Sequence, residues 1–301
     1  VSRPPRDRSP DRPRDRAHDR LDARRDERGR ARPAEAPRAP REERTREVPS
    51  AAAPASGEGE IVYGLRASLA LLETRPDAIR EVFVSPGARD EARSLVARIR
   101  GARELPDREL ERLAQTSHHE GVVVRTSPRK WVSGKELRAL FDPRNAPRDG
   151  RARVGVALDR VRNPYNVGAI LRTAAFFGVD AAILGAPAPH PALAPDAVRV
   201  AEGGAERIAL SRTTDLAETI AQLRGVGVHV YGAENDGAHD ITRFAIQRPA
   251  VLVVGHEREG ISPRVKEQCE AMLAIRGTGA IQSLNVSIAA SLLVHELVRP
   301  R

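Results

Sequence analysis

The sequence predicts an α/β protein, a parallel sheet with helices on both faces, preceded by a smaller α/β unit and an Arg-rich tail. Three observations carry this. From Arg153 onward, short β-branched runs alternate with helical patterns. Residues 61–124 repeat the alternation on a smaller scale, and residues 1–56 almost lack large apolar side chains. Strands alternating with helices imply parallel pairing through crossover helices, with ligands held at the carboxyl ends of the strands.

In chain order, the tail comes first. Residues 1–47 hold 16 Arg against 11 Asp and Glu, and a chain with so little apolar surface cannot offset its conformational entropy, so residues 1–56 are expected to be disordered. The mixed-charge tract Arg12-Pro13-Arg14-Asp15-Arg16 suits loose contact with RNA as well as plain solvation. The first folded unit, 57–126, has Leu65, Leu69, Leu71 and Leu72 at helical spacing, a strand over Glu81–Val84, helices over Asp90–Ile99 and Asp107–Thr116, and a strand over Val122–Val124. Residues 127–149, with three prolines, read as a linker with a short helix around Lys135–Leu140.

The last unit, 150–301, reads as strands Val154–Leu158, Ala181–Leu184, Ile208–Leu210, Val228–Tyr231, Val251–Val254 and Met272–Ile275. Helices are expected over Val167–Phe177, Asp196–Ala201, Leu216–Leu223, Pro263–Glu267 and Leu284–Leu297. A site is expected in the loops after Leu158, Val254 and Ile275.

Composition bounds the function. Of 301 residues 40% are hydrophobic and only 3% aromatic, so the cores are built from Ala, Val, Leu and Ile, and extensive stacking of bases on rings is excluded as a binding mode. The net charge of +9 favours a polyanionic partner. Only Lys130, Lys135 and Lys266 are lysines, however, so the bias to Arg, Ala, Gly and Pro fits a GC-rich genome equally well. Cys269 stands alone, which excludes an internal disulfide and a cysteine-cluster zinc site and suits a reducing, cytoplasmic setting. No run of about 18 apolar residues exists, so no membrane partner is expected. The chain begins with Val1 and its one methionine is Met272, which fits a trimmed chain or a start codon read as valine.

Four segments invite a chemical reading. Gly277-Thr278-Gly279 follows a strand and precedes a helix, but Gln282 occupies the third glycine position of a dinucleotide fingerprint, and no strand or ribose-binding acid follows. The other three lie at strand ends. They are Asn163-Pro164-Tyr165-Asn166-Val167-Gly168-Ala169-Ile170-Leu171-Arg172-Thr173-Ala174, then Gly255-His256-Glu257-Arg258-Glu259-Gly260-Ile261, then Ser283-Leu284-Asn285-Val286-Ser287-Ile288-Ala289. Taken singly, each has a structural reading: Asn166 and Ser283 as helix caps, Arg172 as a solvated helix residue, the glycine-bracketed loop as a tight turn.

Taken together and in this order, the three segments resemble the signature blocks of the SpoU, or TrmH-like, branch of the SPOUT RNA methyltransferases, over residues 153–298. Ile61-Val62-Tyr63-Gly64-Leu65-Arg66-Ala67 and His119-Glu120-Gly121-Val122 resemble the small substrate domain that precedes the catalytic domain in bacterial ribose methyltransferases of 23S ribosomal RNA. The resemblance implies a C-terminal trefoil knot, rare among folds, that binds S-adenosyl-L-methionine in a bent form, and a homodimer. It implies methyl transfer to a ribose 2′-hydroxyl, with ribosomal RNA as partner; a transfer RNA substrate, or a non-catalytic RNA-binding factor on the same fold, remains open.

The resemblance also implies residue roles. Gly255, Gly260, Ile275, Ser283, Leu284 and Asn285 would hold the cofactor. Arg172 would be the principal catalytic residue, anchoring the target phosphate and orienting the hydroxyl, since a guanidinium stays protonated and cannot serve as a base. Asn166 and Asn285 would position the ribose or the cofactor's methionine part, Glu257 would order the knot loop, and Ser283 would hydrogen-bond at the hydroxyl. No metal is implied. The chain departs from the pattern at Arg276, which replaces a proline, at His256 and Arg258, which add bulk and charge, and at Glu120, which stands where Gln is usual.

Overall fold

The computed structural model describes residues 59–88, 90, 102–185 and 193–299. The tail expected over 1–56, and the expected helix after Asp90, lie outside the described residues.

A continuous apolar run such as Ala250–Val254 belongs to a strand buried on both faces, and this strand, β10, is fully buried. It occupies the middle of a seven-stranded sheet. The other strands are β5 (Val154–Asp159), β6 (Ala181–Gly185), β7 (Ala209–Thr213), β8 (His229–Ala233), β9 (His239–Asp240) and β11 (Ala271–Ala274). Their order is β7-β6-β5-β10-β8-β11-β9, and every neighbouring pair is parallel. Side chains alternate across the sheet. Ala250, Leu252 and Val254 join the core under α4 (Pro164–Phe176) and α9 (Val286–Val298), while Val251 and Val253 join the core under α7 (Leu216–Arg224). The expected alternation of strands and helices is therefore present, with β9 and a four-residue helix α6 (Gly204–Arg207) added.

The smaller unit is a four-stranded sheet in the order β1-β4-β2-β3, from Glu60–Tyr63, Ile79–Val84, Arg103–Glu104 and Val122–Thr126. Strand β4 runs antiparallel to β1 and β2, and β3 is parallel to β2. Helices α1 (Leu65–Thr74) and α2 (Asp107–Ala114) pack against it.

Three expectations need correcting. The segment read as a linker is docked on the large unit: helix α3 (Gly134–Phe141) buries Leu137 and Phe141 in the α7-side core, and Val132 N donates to Leu210 O at 2.8 Å. Asn166 is not the cap of α4. Asn163 holds that place, its side chain accepting from Tyr165 N, with Pro164 opening the helix as its fixed φ favours. Nor does Ser283 cap the last helix, because the Asn285 side chain accepts from Ser287 N and the helix begins at Val286.

The two units share a seam. Val198 of α5 (Pro195–Val200) sits in the apolar core of the small unit. Beside it lies a buried ion network. Glu206 Oε1 accepts from Arg129 Nη2 at 2.7 Å and Glu206 Oε2 from Arg75 Nε at 2.8 Å, while Glu60 lies within 3.7 Å of both arginines. Tyr63 donates to Asp196 across the same seam, and burial, reinforced by that carboxylate, pushes the phenol well above its usual range.

Candidate active site

Helix α4 begins at the carboxyl end of β5, beside β10, where the order of connections reverses and open α/β sheets place their ligands. A chain of hydrogen bonds joins the three sequence segments at this point. Asn166 Nδ2 donates to Glu257 Oε1 at 2.7 Å, and Asn285 Nδ2 donates to Asn166 Oδ1 at 3.2 Å. Asn285 Oδ1 in turn accepts from Ser287 N at 2.8 Å and from Ser287 Oγ at 2.6 Å. Asn166 is the hub because it is buried in the first turn of α4 and its amide offers a donor and an acceptor at once.

The loop after β10 is fixed by its own backbone. His256 and Gly260 exchange two backbone hydrogen bonds, at 3.0 and 2.9 Å, and His256 Nδ1 accepts from Arg258 N and Glu259 N. Asp159, a buried carboxylate ending β5, accepts from Ser262 N at 2.6 Å, and Arg160 reaches Glu259 and the Gly260 carbonyl. Gly255 is buried, and a Cβ there would overlap the backbone of Gly260 and Ile261. His256 therefore organises the turn. Arg276 is likewise committed, since its Nη2 donates to Gly237 O at 2.8 Å. Asp159 and Arg160 escaped the sequence reading, although an acid ending an apolar strand was a usable signal.

The loop from Arg276 to Asn285 is exposed throughout, with Ile275 half-buried before it and Leu284 49% exposed. Around Gly260, Gly277 and Gly279 no atom lies within 4 Å of where a Cβ would be. Glycine-bordered open space, exposed backbone amides and apolar walls suit a ligand without phosphates, held by backbone hydrogen bonds and apolar contact. S-Adenosyl-L-methionine fits that description. Gly255 and Gly260 lie on the loop after β10, and Ile275, Ser283, Leu284 and Asn285 on the segment between β11 and α9. Among the described residues no group of His, Cys, Asp and Glu could hold a metal ion, and no helix is long and apolar enough to cross a membrane.

Arg172 lies elsewhere. It is six residues beyond Asn166, about 9 Å along the helix and turned to another face. Its side chain is 57% exposed, with Nη1 2.9 Å from Glu202 Oε1. It lines a cleft shared with Gly64, Arg66, Glu120 and Arg199. Within one chain, the structure gathers Asn166, Glu257 and Asn285 and leaves Arg172 on the side of the small unit.

Residues 153–295 match the SpoU rRNA Methylase family, and residues 61–132 match the RNA 2′-O ribose methyltransferase substrate-binding family. The chain is 33% identical over 249 residues to the 23S rRNA (guanosine-2′-O-)-methyltransferase RlmB of Yersinia pestis, covering 80% of this chain and 98% of that protein. Against the RlmB of Escherichia coli K12 the identity is 30% over 253 residues, covering 80% and 99%. The chain belongs to the SpoU rRNA methylase family. The crystal structure of an AdoMet-bound rRNA methyltransferase from Sinorhizobium meliloti is similar in fold, with a TM-score of 0.62 and 25% identity over 80% of this chain and 87% of that one. SpoU family members are methyltransferases that act on RNA, and this chain is one of them.

Proposed function

We propose that the protein transfers a methyl group from S-adenosyl-L-methionine to a ribose 2′-hydroxyl of 23S ribosomal RNA, at a guanosine as in the named RlmB relatives. The observation that carries this reading is the hydrogen-bond chain Glu257–Asn166–Asn285, which ties all three family segments together at the carboxyl ends of β5, β10 and β11. When bound, the cofactor supplies an electrophilic methyl on a sulfonium, so the protein has to align a weak nucleophile with it and exclude competing water.

Each residue has a part in that alignment. Gly255 and Gly260 set the shape of the loop against which the cofactor lies, and Ile275 and Leu284 give it apolar walls. Glu257 fixes Asn166, and Asn166 fixes Asn285, so the polar edge of the crevice is held before any ligand arrives. Ser283, exposed one residue before Leu284, hydrogen-bonds the target hydroxyl in this reading. Arg172 binds the phosphate next to the target ribose and orients the hydroxyl.

The same reading includes a trefoil knot formed by the C-terminal unit, a cytoplasmic setting and a homodimer. Ile281, Leu284, Ile288 and Leu292 are each between 47% and 82% exposed on and before α9, an apolar patch of the kind that subunit contacts cover. A second chain packed there would bring its Arg172 toward this chain's crevice. Sedimentation of the full chain as a monomer only would remove the dimer.

The test is transfer of radiolabelled methyl to ribosomal and transfer RNA from cells lacking the protein. Label in ribosomal RNA, lost in Arg172→Ala with unchanged thermal stability, is the expected result. Label in transfer RNA would move the substrate, and tight RNA binding without any label would refute the enzymatic reading.

A further inference from the structure

The cleft beneath Arg172 has a chemistry of its own. It encloses about 180 Å³ between α1 of the small unit and the turn joining α5 to α6, and Arg66, Arg172 and Arg199 line it with Glu120 and Glu202. Glu120 is committed: one oxygen accepts from Leu65 N at 3.0 Å, at the start of α1, and the other lies 3.7 Å from Arg199 Nη1. Glu202 neutralises Arg172. Arg66 is exposed and makes no ion pair with a described residue, and Arg199 Nε is buried without a hydrogen-bond partner. Among the side chains that line the cleft, three guanidinium groups face two carboxylates, which leaves a positive lining with unused donors.

We propose that this cleft binds one backbone phosphodiester of the RNA substrate, held by Arg66, Arg199 and Arg172, and that Glu202 is the counter-ion which the phosphate displaces from Arg172. The proposal rests on the RNA-methylating reading above. A phosphodiester carries a single negative charge and so matches the surplus, and guanidinium forks fit its paired oxygens. A nucleotide with a terminal phosphate would bring more charge than the cleft balances.

One further feature favours a built site. The cleft's two walls are locked together by the buried network of Glu206, Arg129, Arg75 and Glu60, so its width is set before RNA arrives.

The experiment is filter binding of the full chain to a 23S ribosomal RNA transcript between about 50 and 200 mM salt, with methyl transfer followed alongside. Arg66→Ala should weaken binding about tenfold at the low-salt end, as expected for a charged hydrogen-bonding partner. It should also flatten the plot of log affinity against log salt by about 0.7 to 0.9, the value of one phosphate contact. Arg66→Lys should restore the slope. Glu202→Gln should tighten binding, because a competing carboxylate is gone. Opposite signs in the two variants cannot come from a shared folding defect. Unchanged affinity and slope in Arg66→Ala would overturn the proposal whatever Glu202→Gln does. Absence of methyl transfer by the wild type would instead count against the enzymatic reading, while the salt slopes would still decide the cleft.

Discussion

Glu206→Gln removes one negative charge from the centre of the domain seam without changing the side chain's shape. The Glu206 side chain is 1% exposed and that of Arg129 is 5% exposed, so neither charge can turn to water when its partner is lost. The carboxylate accepts from Arg129 Nη2 at 2.7 Å and from Arg75 Nε at 2.8 Å; an amide would keep one acceptor and point its NH2 at a guanidinium. Glu60 would then be the remaining carboxylate near Arg129, at 3.7 Å and partly exposed. Breaking one side of a buried pair costs about 3–5 kcal/mol. Because the Arg75 side chain is 22% exposed and can rehydrate, the lower end, about 3 kcal/mol, is expected. With a urea m-value near ~3 kcal/mol/M, the midpoint should fall by about 1 M. Pairing Glu206→Leu with Arg129→Met should recover most of the loss, since apolar replacements avoid desolvating either ion. A loss below about 1 kcal/mol for Glu206→Gln would show that the seam is wet and refute the reasoning.

Two further outcomes follow from the geometry. Gly255→Ala forces a Cβ into the backbone of Gly260 and Ile261 in a loop tied down by His256 and Asp159, and should cost about 1–3 kcal/mol together with most cofactor affinity. Gly260→Ala meets open space and only the strain of φ +67°, so calorimetry should show a loss near ~1 kcal/mol; equal losses would contradict the steric account. The Cys269 thiol is pushed up to about 12 by burial, so at pH 8 iodoacetamide should alkylate it slowly in the folded protein and rapidly in urea. Since the folded thiol keeps its proton longer than an unfolded one, its stabilising contribution is complete below about pH 8.5 and declines as the pH rises toward 12. Rapid native labelling would refute the burial.

The large sheet was legible because its strands are fully buried and therefore spell unbroken apolar runs, as at Val251–Val254. Strand β9 was not, because His239 and Asp240 form a two-residue edge with no apolar pattern. The caps were displaced by a few residues for a related reason. Asn163 and Asn166, or Ser283 and Asn285, are equally good cap formers in sequence, and only packing decides which one turns inward. The three family segments carry Asn166, Glu257 and Asn285, but no spacing in the sequence shows that their side chains hydrogen-bond to one another. The cleft formed by Arg66, Arg199 and Glu202 was invisible, because its members come from two units and carry no local motif. The docking of α3 was hidden too, since a proline-rich flank looks the same whether the chain is free or laid against a sheet.

Helix α4 connects the two halves of the site, and its packing explains why a helix, rather than a loop, carries both Asn166 and Arg172. At Gly168, two residues beyond the hub, a Cβ would lie 2.6 Å from the Ala197 carbonyl oxygen and from Val200 Cβ. At Gly204 it would lie 2.7 Å from the Leu171 carbonyl oxygen. The helix is thus pressed against α5 and α6 by two backbone contacts that no side chain could enter, at Gly168 and at Leu171, both within the interval between Asn166 and Arg172. Both α5 and the turn before α6 also face the small unit, through Val198 and through Gly203, where a Cβ would meet Ala70. Close contacts therefore join the small unit to α5 and α6, and these to the helix that carries both Asn166 and Arg172. Within one chain the spacing of Asn166 and Arg172 is set by helix geometry, at about 1.5 Å per residue. This arrangement suits an enzyme that must place one hydroxyl against one methyl, because an error of about 1 Å there costs on the order of a hundredfold in rate.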